Sequence, residues 1–365
     1  MKRLSFLLAT AFLGAAMLSS CYKENVIIDP AFSADSVAMR QGAATMKAFF
    51  DKHRPQNERF SIDAAAGGTL TTSNGTRITI APNALRLNGN PVSGTVNVWV
   101  RDILRPDQML LADKPSVATS GRMLECYGQI IVKAEQDGQE LQLPPNAAMT
   151  RSLNVAMPIG TGSSGTQKDI PLWSGDTSVT ITAQGYNHEN APTTVSAQYT
   201  FKKGMEWREM PGFAIANDSA NYFNLDSLGA WRNVDALYNE TTPRTTVLCF
   251  LGDKYNPLSG NVTAQDPSMV FFKAKNTNLL VKLYTTILNP AAGREGFLSY
   301  QNSMPVGQEG TFLVISSLGN KLYAEMRDVT IPSPAAGKTY VGYDFNLAEV
   351  SEGQLQALIQ QLNSK

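Results

Sequence analysis

Alternation of apolar and polar residues constrains this chain more than any other feature. Within the stretch from Gly67 to Leu143, Val96, Val98 and Val100 fall on one side while Asn97, Trp99 and Arg101 fall on the other. Ile78 and Ile80 repeat the pattern around Thr79, and Ile130, Val132 and Ala134 repeat it again. A period of two marks a half-buried strand. Turn pairs such as Asn88-Gly89 and Asp137-Gly138 supply the backbone that tight hairpins need, so an antiparallel sandwich is expected.

Leu153, Val155 and Met157 extend the series, and Gly160 to Lys168 reads as a Gly/Ser/Thr-rich loop. Further strands are expected around Val179–Ile181 and Val195–Phe201, giving a first β-sandwich domain over residues 60–204. A turn-rich break between Lys202 and Ala220 precedes a second series that starts at Tyr222-Phe223-Asn224-Leu225. It continues through Thr245–Leu251, Met269–Lys273, Leu279–Tyr284, Phe297–Tyr300, Thr311–Ser316, Lys321–Met326 and Thr339–Phe345, a second β domain over 221–350.

Helices flank the strands. Ser33 or Asp35 is placed to cap a helix that Pro55 ends, within a tether-and-helix segment 21–59, and Met39, Met46, Phe49 and Phe50 supply its apolar contacts. Gly42 weakens that helix, which is expected to pack on the first sheet or to space it from the membrane. Ser351 with Gln354 makes a capping box before Leu355, Leu358, Ile359 and Leu362, a packing helix over 351–365. The fold class is therefore mostly β: two antiparallel β-sandwich-like domains with an N-terminal and a C-terminal helix. Lys plus Arg and Asp plus Glu both number 31, so no net charge draws the chain to nucleic acid.

The first residues specify an address. Lys2 and Arg3 precede an apolar run from Leu4 to Leu18, and Leu18-Ser19-Ser20-Cys21 closes it. Residues 1–20 read as a secretory signal peptide too short for a comfortable membrane span. The tetrapeptide resembles the bacterial lipobox. That resemblance implies cleavage after Ser20 and a lipid on Cys21, whose acyl chains would bury CH₂ groups worth ~0.8 kcal/mol each in a bilayer. Tyr22 stands where an inner-membrane retention aspartate would stand, which points to a lipid-anchored outer-membrane protein. Lys23-Glu24 resembles a short surface-export signal, and the periplasmic and surface faces both stay open.

Gly67-Gly68-Thr69-Leu70, then Ile80-Ala81-Pro82-Asn83-Ala84-Leu85 and Gly94-Thr95-Val96-Asn97-Val98 resemble the ZU-five type β-sandwich module of ankyrins and netrin receptors. A similar stretch occurs in many exported bacterial proteins, and the resemblance covers about residues 60–160. Some members of that family cleave themselves at His-Phe-Ser. Here His53 and His188 are the two histidines and neither lies in such a tripeptide, so the resemblance implies a fold and a binding or mechanical role. Pro82 cannot donate to a ladder and should end the Ile78–Ile80 strand or sit at an edge.

The chain carries no His-Glu-x-x-His, Cys-x-x-Cys, Gly-x-Ser-x-Gly or phosphate-cradling motif, so no catalytic residue, metal or cofactor is assigned. Glu125, Asp226 and Asp235 have apolar or aromatic neighbours that could raise a carboxyl pKa, against the commoner reading of solvated or hydrogen-bonded strand-end carboxylates. Trp231, Arg232 and Asp235 are candidate ligand contacts in Leu228-Gly229-Ala230-Trp231-Arg232-Asn233-Val234-Asp235. This stretch resembles, with Ala230 inserted, a leucine-gly-trp-x-asn segment of the same exported proteins. Against that stands the reading that Trp231 plugs the second core. Ser36, Ser219 and Ser227 each follow an aspartate in a triplet that resembles an O-glycosylation acceptor. Cys126 and Cys249 are read as buried free thiols in preference to a disulfide. The functional expectation is an exported, lipid-anchored β-sandwich protein with a binding, adhesive or scaffolding role, whose partner is an envelope protein or glycan. The alternative is a carbohydrate-binding or carbohydrate-active envelope lipoprotein.

Overall fold

Asn88 and Gly89 both hold positive φ angles (51° and 83°), as do Asp137 and Gly138 (51° and 78°). Two successive left-handed residues make the turn whose twist matches the flanking strands. The first pair joins Arg86–Leu87 to Asn90–Pro91 and the second joins Leu124–Gln136 to Gln139–Glu140. A computed structural model describes residues 36–158, 169–176, 180–187, 191–200, 205–216, 220–238, 242–256, 266–283, 285–287 and 293–365.

Among the described residues, eleven strands form one antiparallel sheet. Its order runs Glu58–Asp63, Thr95–Ile103, Leu124–Gln136, Arg232–Leu237, Asp169–Asp176, Glu206–Ala216, Ala220–Asn224, Leu153–Pro158, Arg77–Ile80, Gly68–Thr71, with Gln139–Glu140 on the side of Leu124–Gln136. The two end strands follow each other in sequence, and a bridge between Asp63 and Gly67 links them. The sheet therefore curls over on itself. Val96, Val98 and Val100 from one end meet Ile78, Ile80, Leu153 and Val155 from the other in a single buried cluster. Pro82 follows the strand Arg77–Ile80, which it terminates.

The second unit is a sandwich of two sheets. One holds Thr285–Thr286, Gly296–Leu298, Arg244–Phe250 and Met304–Pro305, with Tyr340–Asp344 pairing Arg244–Phe250 in parallel. The other runs Leu280–Leu283, Ser268–Ala274, Glu309–Leu318, Lys321–Thr330, Ala348–Val350. Val247, Cys249, Phe272, Phe312 and Val314 fill the space between them. Cys126 lies in a different cluster, and both thiols are buried and free.

The chain does not divide at residues 204 and 221. The turn-rich break between Lys202 and Ala220 contains the strand Glu206–Ala216, while Ala220–Asn224 and Arg232–Leu237 belong to the first sheet. The last of these lies mid-sheet, between Leu124–Gln136 and Asp169–Asp176. It lies inside the range read as the second domain, so composition did not separate the two. The hairpin Thr180–Asn187/Ala191–Thr200 forms a separate two-stranded sheet.

Four α-helices, α1 (Ser36–His53), α2 (Pro106–Leu111), α3 (Ala147–Thr150) and α4 (Glu352–Gln361), and two single 3-10 turns, Gly252–Lys254 and Leu362–Ser364, complete the described structure. α4 carries the capping box in full, Gln354 N donating to Ser351 Oγ and Ser351 N to Gln354 Oε1. Leu355 and Ile359 are buried, so it is a packing helix. The expected seat of α1 on the first sheet is corrected. It lies on Glu309–Leu318 and Lys321–Thr330 of the second unit, because Met46, Phe49 and Phe50 find the apolar outer face of that sheet. Lys52 and His53 at its end both reach Glu352 of α4, at 2.6 and 2.7 Å.

Gly42 explains the close approach. A Cβ there would fall on the carbonyl of Ser317, while Ser317 Oγ donates to the Gly42 carbonyl at 2.6 Å. Asn256 Nδ2 donates to both Met39 and Ser317 carbonyls, at 2.9 and 2.8 Å. In a solvent-exposed helix Gly→Ala gains ~1 kcal/mol. At this contact the sign should reverse: Gly42→Ala is expected to lose ~1–3 kcal/mol through overpacking. Urea denaturation of the two proteins checks this, and a stabilised variant would refute the contact.

Candidate functional site

The strand Arg232–Leu237 sends alternate residues to opposite faces, and this decides the fate of the predicted contacts. Arg232 makes five hydrogen bonds within the chain: to Asp226 Oδ1 and Oδ2 (2.8 and 2.9 Å), Ser227 Oγ (2.7 Å), Ser174 Oγ (3.2 Å) and the Trp231 carbonyl (2.9 Å). Those use its full complement of donors. Burial alone would push the Asp226 carboxyl up, but the hydrogen bonds and charge of Arg232 together hold it below the usual carboxylate range. Arg232 is thus a clamp that fastens the turn at Asp226 and Ser227 to the next strand. The Ser227 hydroxyl is part of that clamp.

Asp235 faces the other way and is completely buried. Its Oδ2 accepts from Asn233 Nδ2, Cys126 Sγ donates to Asn233 Oδ1 at 3.6 Å, and Asp235 Oδ1 has no hydrogen-bond partner. Burial pushes the Asp235 carboxyl well above its ordinary value and does the same to the Cys126 thiol. Trp231 is half-buried between the apolar cluster of the seam and a smaller cluster of the first unit, with Lys114 Nζ 5.6 Å from its ring centroid. It fills the seam between the units, so its placement in the second core is corrected. Trp231, Arg232 and Asp235 do not converge on one site. Trp173 and Trp207 are buried in the same region, their Nε1 groups donating to the carbonyls of Asp235 and Pro115, each at 2.8 Å. Ser36 is the first residue of α1. Cys21, His188 and Ser219 lie outside the described residues.

Two groups that sequence reading passed over carry more chemistry. One is an open groove on the second unit, formed by two adjoining hollows of about 400 and 310 Å³ that share Lys275, Asn276 and Glu309. Lys275 pairs with Glu309 at 2.6 Å and Lys365 with Asp328 at 2.9 Å, while Thr311 Oγ1 donates to Asp328 at 2.6 Å. At the far end Tyr238 donates to Gln308 Oε1 at 2.7 Å. Behind it Lys273 is buried with its ammonium on the carbonyls of Ala274, Thr277 and Lys365, and burial pushes its pKa down to about 8. Sequence held no signal for this groove, because strand ends and turns far apart in the chain build it.

The second is Glu206, only 2 % exposed, with Oε1 unpartnered. Burial, then the charge of Asp176, pushes its carboxyl up to about 8. Met205 and Trp207 flank it, so the criterion that singled out Glu125, Asp226 and Asp235 also fits Glu206. Among the described residues, no group of three or more His, Cys, Asp or Glu converges to hold a metal ion. Comparison with family models, curated proteins and solved structures finds no match for the chain.

Asp235 yields a pH test. Its folded-state pKa is raised above the ordinary 3.8, so the folded protein keeps a proton that the unfolded chain has lost. Stability from this group is present below the unfolded value and lost as pH rises towards the folded one, by up to ~1.4 kcal/mol per pH unit. Asp235→Asn removes that slope. The variant should therefore gain stability relative to the parent as urea unfolding is repeated from about pH 5 to about pH 7; parallel curves would show that Asp235 is not protonated.

Proposed function

We propose that the protein is an exported, lipid-anchored binding protein of the outer membrane, and that its ligand lies in the groove spanning Tyr238, Lys275, Glu309 and Asp328. The observation that carries the reading is the groove's chemistry. Hollows of this size are typical of ligand sites, and this one presents donors and acceptors gathered in two ion pairs. Export and anchoring rest on the signal-like residues 1–20 and on Cys21.

Charge balance favours a carbohydrate over a protein partner as the occupant. Lys275 and Lys365 offset Glu309 and Asp328, two against two, so the groove has no sign to offer a charged ligand. Hydroxyl groups both donate and accept. A neutral glycan can therefore bond to the carboxylates and to the lysines at once.

Two experiments test the parts separately. Cys21→Ala is expected to move the protein from the membrane to the soluble fraction, and retention in the membrane would count against the anchor. Asp328→Ala with Glu309→Ala removes two charged acceptors, each worth ~1.5–3 kcal/mol when a ligand hydroxyl bonds to it. Binding on an array of envelope glycans should fall by about tenfold or more, and an unaltered binding profile would exclude the groove.

A further inference from the structure

The outer face of the first sheet carries a cation without a counter-charge. Val96, Val98 and Val100 enter the inner core, so alternation along Thr95–Ile103 turns Arg101 outward. Arg101 is half-buried, and its Nε is fully buried without a hydrogen-bond partner. Among the described residues no carboxylate lies within ion-pair reach of its guanidinium, and the charge that bears on it is that of a second guanidinium, Arg54. Arginine cannot shed its proton, and charges taken out of water are ordinarily paired.

Register and hydrogen bonds bring two more cations to the same place. Ile131 lies directly opposite Arg101 on Leu124–Gln136, and Gln129, on the same face of that strand, holds the Lys114 carbonyl through its Nε2 at 2.9 Å. One strand further, Arg232 pairs with Ile130, which puts Trp231 level with Ile131; Lys114 Nζ lies 5.6 Å from the Trp231 ring centroid. Adjacent strands are ~4.8 Å apart, so the backbones of Arg101 and Trp231 flank Ile131 at a separation of ~10 Å. Arg54 closes the third side. Its Nε donates to the carbonyl of Phe50, which shares a cluster with Ile103, two residues from Arg101 on the same face. Burial holds Arg101 and Lys114 below their ordinary values, and Arg54 adds to this in both; in Lys114 the charge of Arg101 adds to it as well, against the opposing pull of Asp113. The nearby carboxylates are engaged elsewhere, Asp51 by Lys47 and Arg54 and Asp113 by Lys282. Lys114 Nζ meets only the carbonyls of Ala112 and Asp113, each at 3.3 Å. Two positive charges are left without ion pairs.

We propose that Arg101 and Lys114, with Arg54 beside them, form a receptor for a phosphate monoester, carried by a soluble organic phosphate or by a lipid headgroup. Charge selects the class. Two unmatched cations call for a dianion, and a phosphate monoester carries about −1.5 to −2 at pH 7, whereas a carboxylate or a phosphodiester carries a single charge. Geometry agrees with this: the planar fork of Arg101 matches two phosphate oxygens, and the third is left for the point charge of Lys114. Arg54 is already answered by Asp51 and contributes through its field. The receptor is separate from the groove and stands whether or not the groove binds a glycan.

Two assays on the full chain at fixed ionic strength test this, one for each source. Titration calorimetry compares glycerol phosphate with glycerate and glycerol; sedimentation compares phosphatidylcholine vesicles carrying phosphatidic acid with the same vesicles carrying phosphatidylglycerol, so that a lipid anchor contributes equally to both. In at least one assay the phosphate monoester should bind about tenfold or more tightly than its singly charged and uncharged counterparts, and the assay that discriminates names the source. Arg101→Gln should abolish that preference. Lys321→Gln, which removes an exposed lysine of the second unit paired with Glu349, should leave it intact. If Arg101→Gln does not fold, Lys114→Gln makes the same test. Absence of a preference in both assays would overturn the assignment, as would a preference that survives in the folded variant. Asp328→Ala with Glu309→Ala should not alter phosphate binding, so failure of the groove and failure of this receptor give different results.

Discussion

Three adjacent strands with no solvent face, Leu280–Leu283, Ser268–Ala274 and Glu309–Leu318, organise this molecule. Every residue of Ser268–Ala274 is buried, as are eight of the ten in Glu309–Leu318. Val270, Phe272, Phe312 and Val314 point into the second sandwich, while Met269, Phe271, Leu313 and Ile315 point out of it. Their outward cluster takes in Met46, Phe49 and Phe50 of α1, Leu355 and Ile359 of α4, Met109 and Leu110 of α2, and Ile103 and Cys126 of the first sheet. Full burial of each large side chain is worth ~1.5–3 kcal/mol. Exposing this face by separating the units would forfeit many such terms, so the two β units share one interior.

Polar groups in the seam fix how the units meet. Lys282, 2 % exposed at its side chain, lies 2.8 Å from Asp113 and 3.0 Å from Asp266. Burial alone would push its ammonium down, but the two carboxylates more than reverse this and hold it above its ordinary value. Asn278 Nδ2 donates across the seam to the carbonyls of Leu104 and Cys126, and Ser116 and Leu280 exchange backbone and side-chain bonds. A buried ion pair adds little net stability against an apolar replacement, whereas removing one partner costs ~3–5 kcal/mol. Such groups therefore penalise every arrangement but this one. Asp235 lies in the same seam without a cation, and its carboxyl responds by holding its proton.

Local pattern made much of the fold legible in the sequence, and long-range pairing hid the rest. Alternation at Val96–Val100, the turn pairs Asn88-Gly89 and Asp137-Gly138, and the cap at Ser351 act over a few residues, and each appears where it was read. Strand order is a different kind of information. Nothing within Arg232–Leu237 says that it will lie between Leu124–Gln136 and Asp169–Asp176, so the boundary near residue 204 fell in the wrong place. Gly42 lowers helix propensity, yet its missing side chain is what lets α1 touch Ser317. Trp231, Arg232 and Asp235 are neighbours in sequence, but the strand that begins at Arg232 sends Arg232 and Asp235 to opposite faces.

The sheet that holds these doubly buried strands also sets the character of the groove. Glu309, Gly310 and Thr311 begin one of its strands and Asp328, Val329 and Thr330 end the next. A Cβ on Gly310 would fall on the Phe272 ring, so the groove's lining and the sandwich core are in contact at that point. Phe272 in turn lies 5.0 Å from Phe312, whose neighbour Thr311 donates to Asp328. Moving the lining would shift packed aromatic rings, and close-packed interiors resist such shifts. The backbone that carries Glu309, Thr311 and Asp328 is consequently held in place before any ligand arrives, which lowers the ordering cost that limits affinity on mobile surfaces.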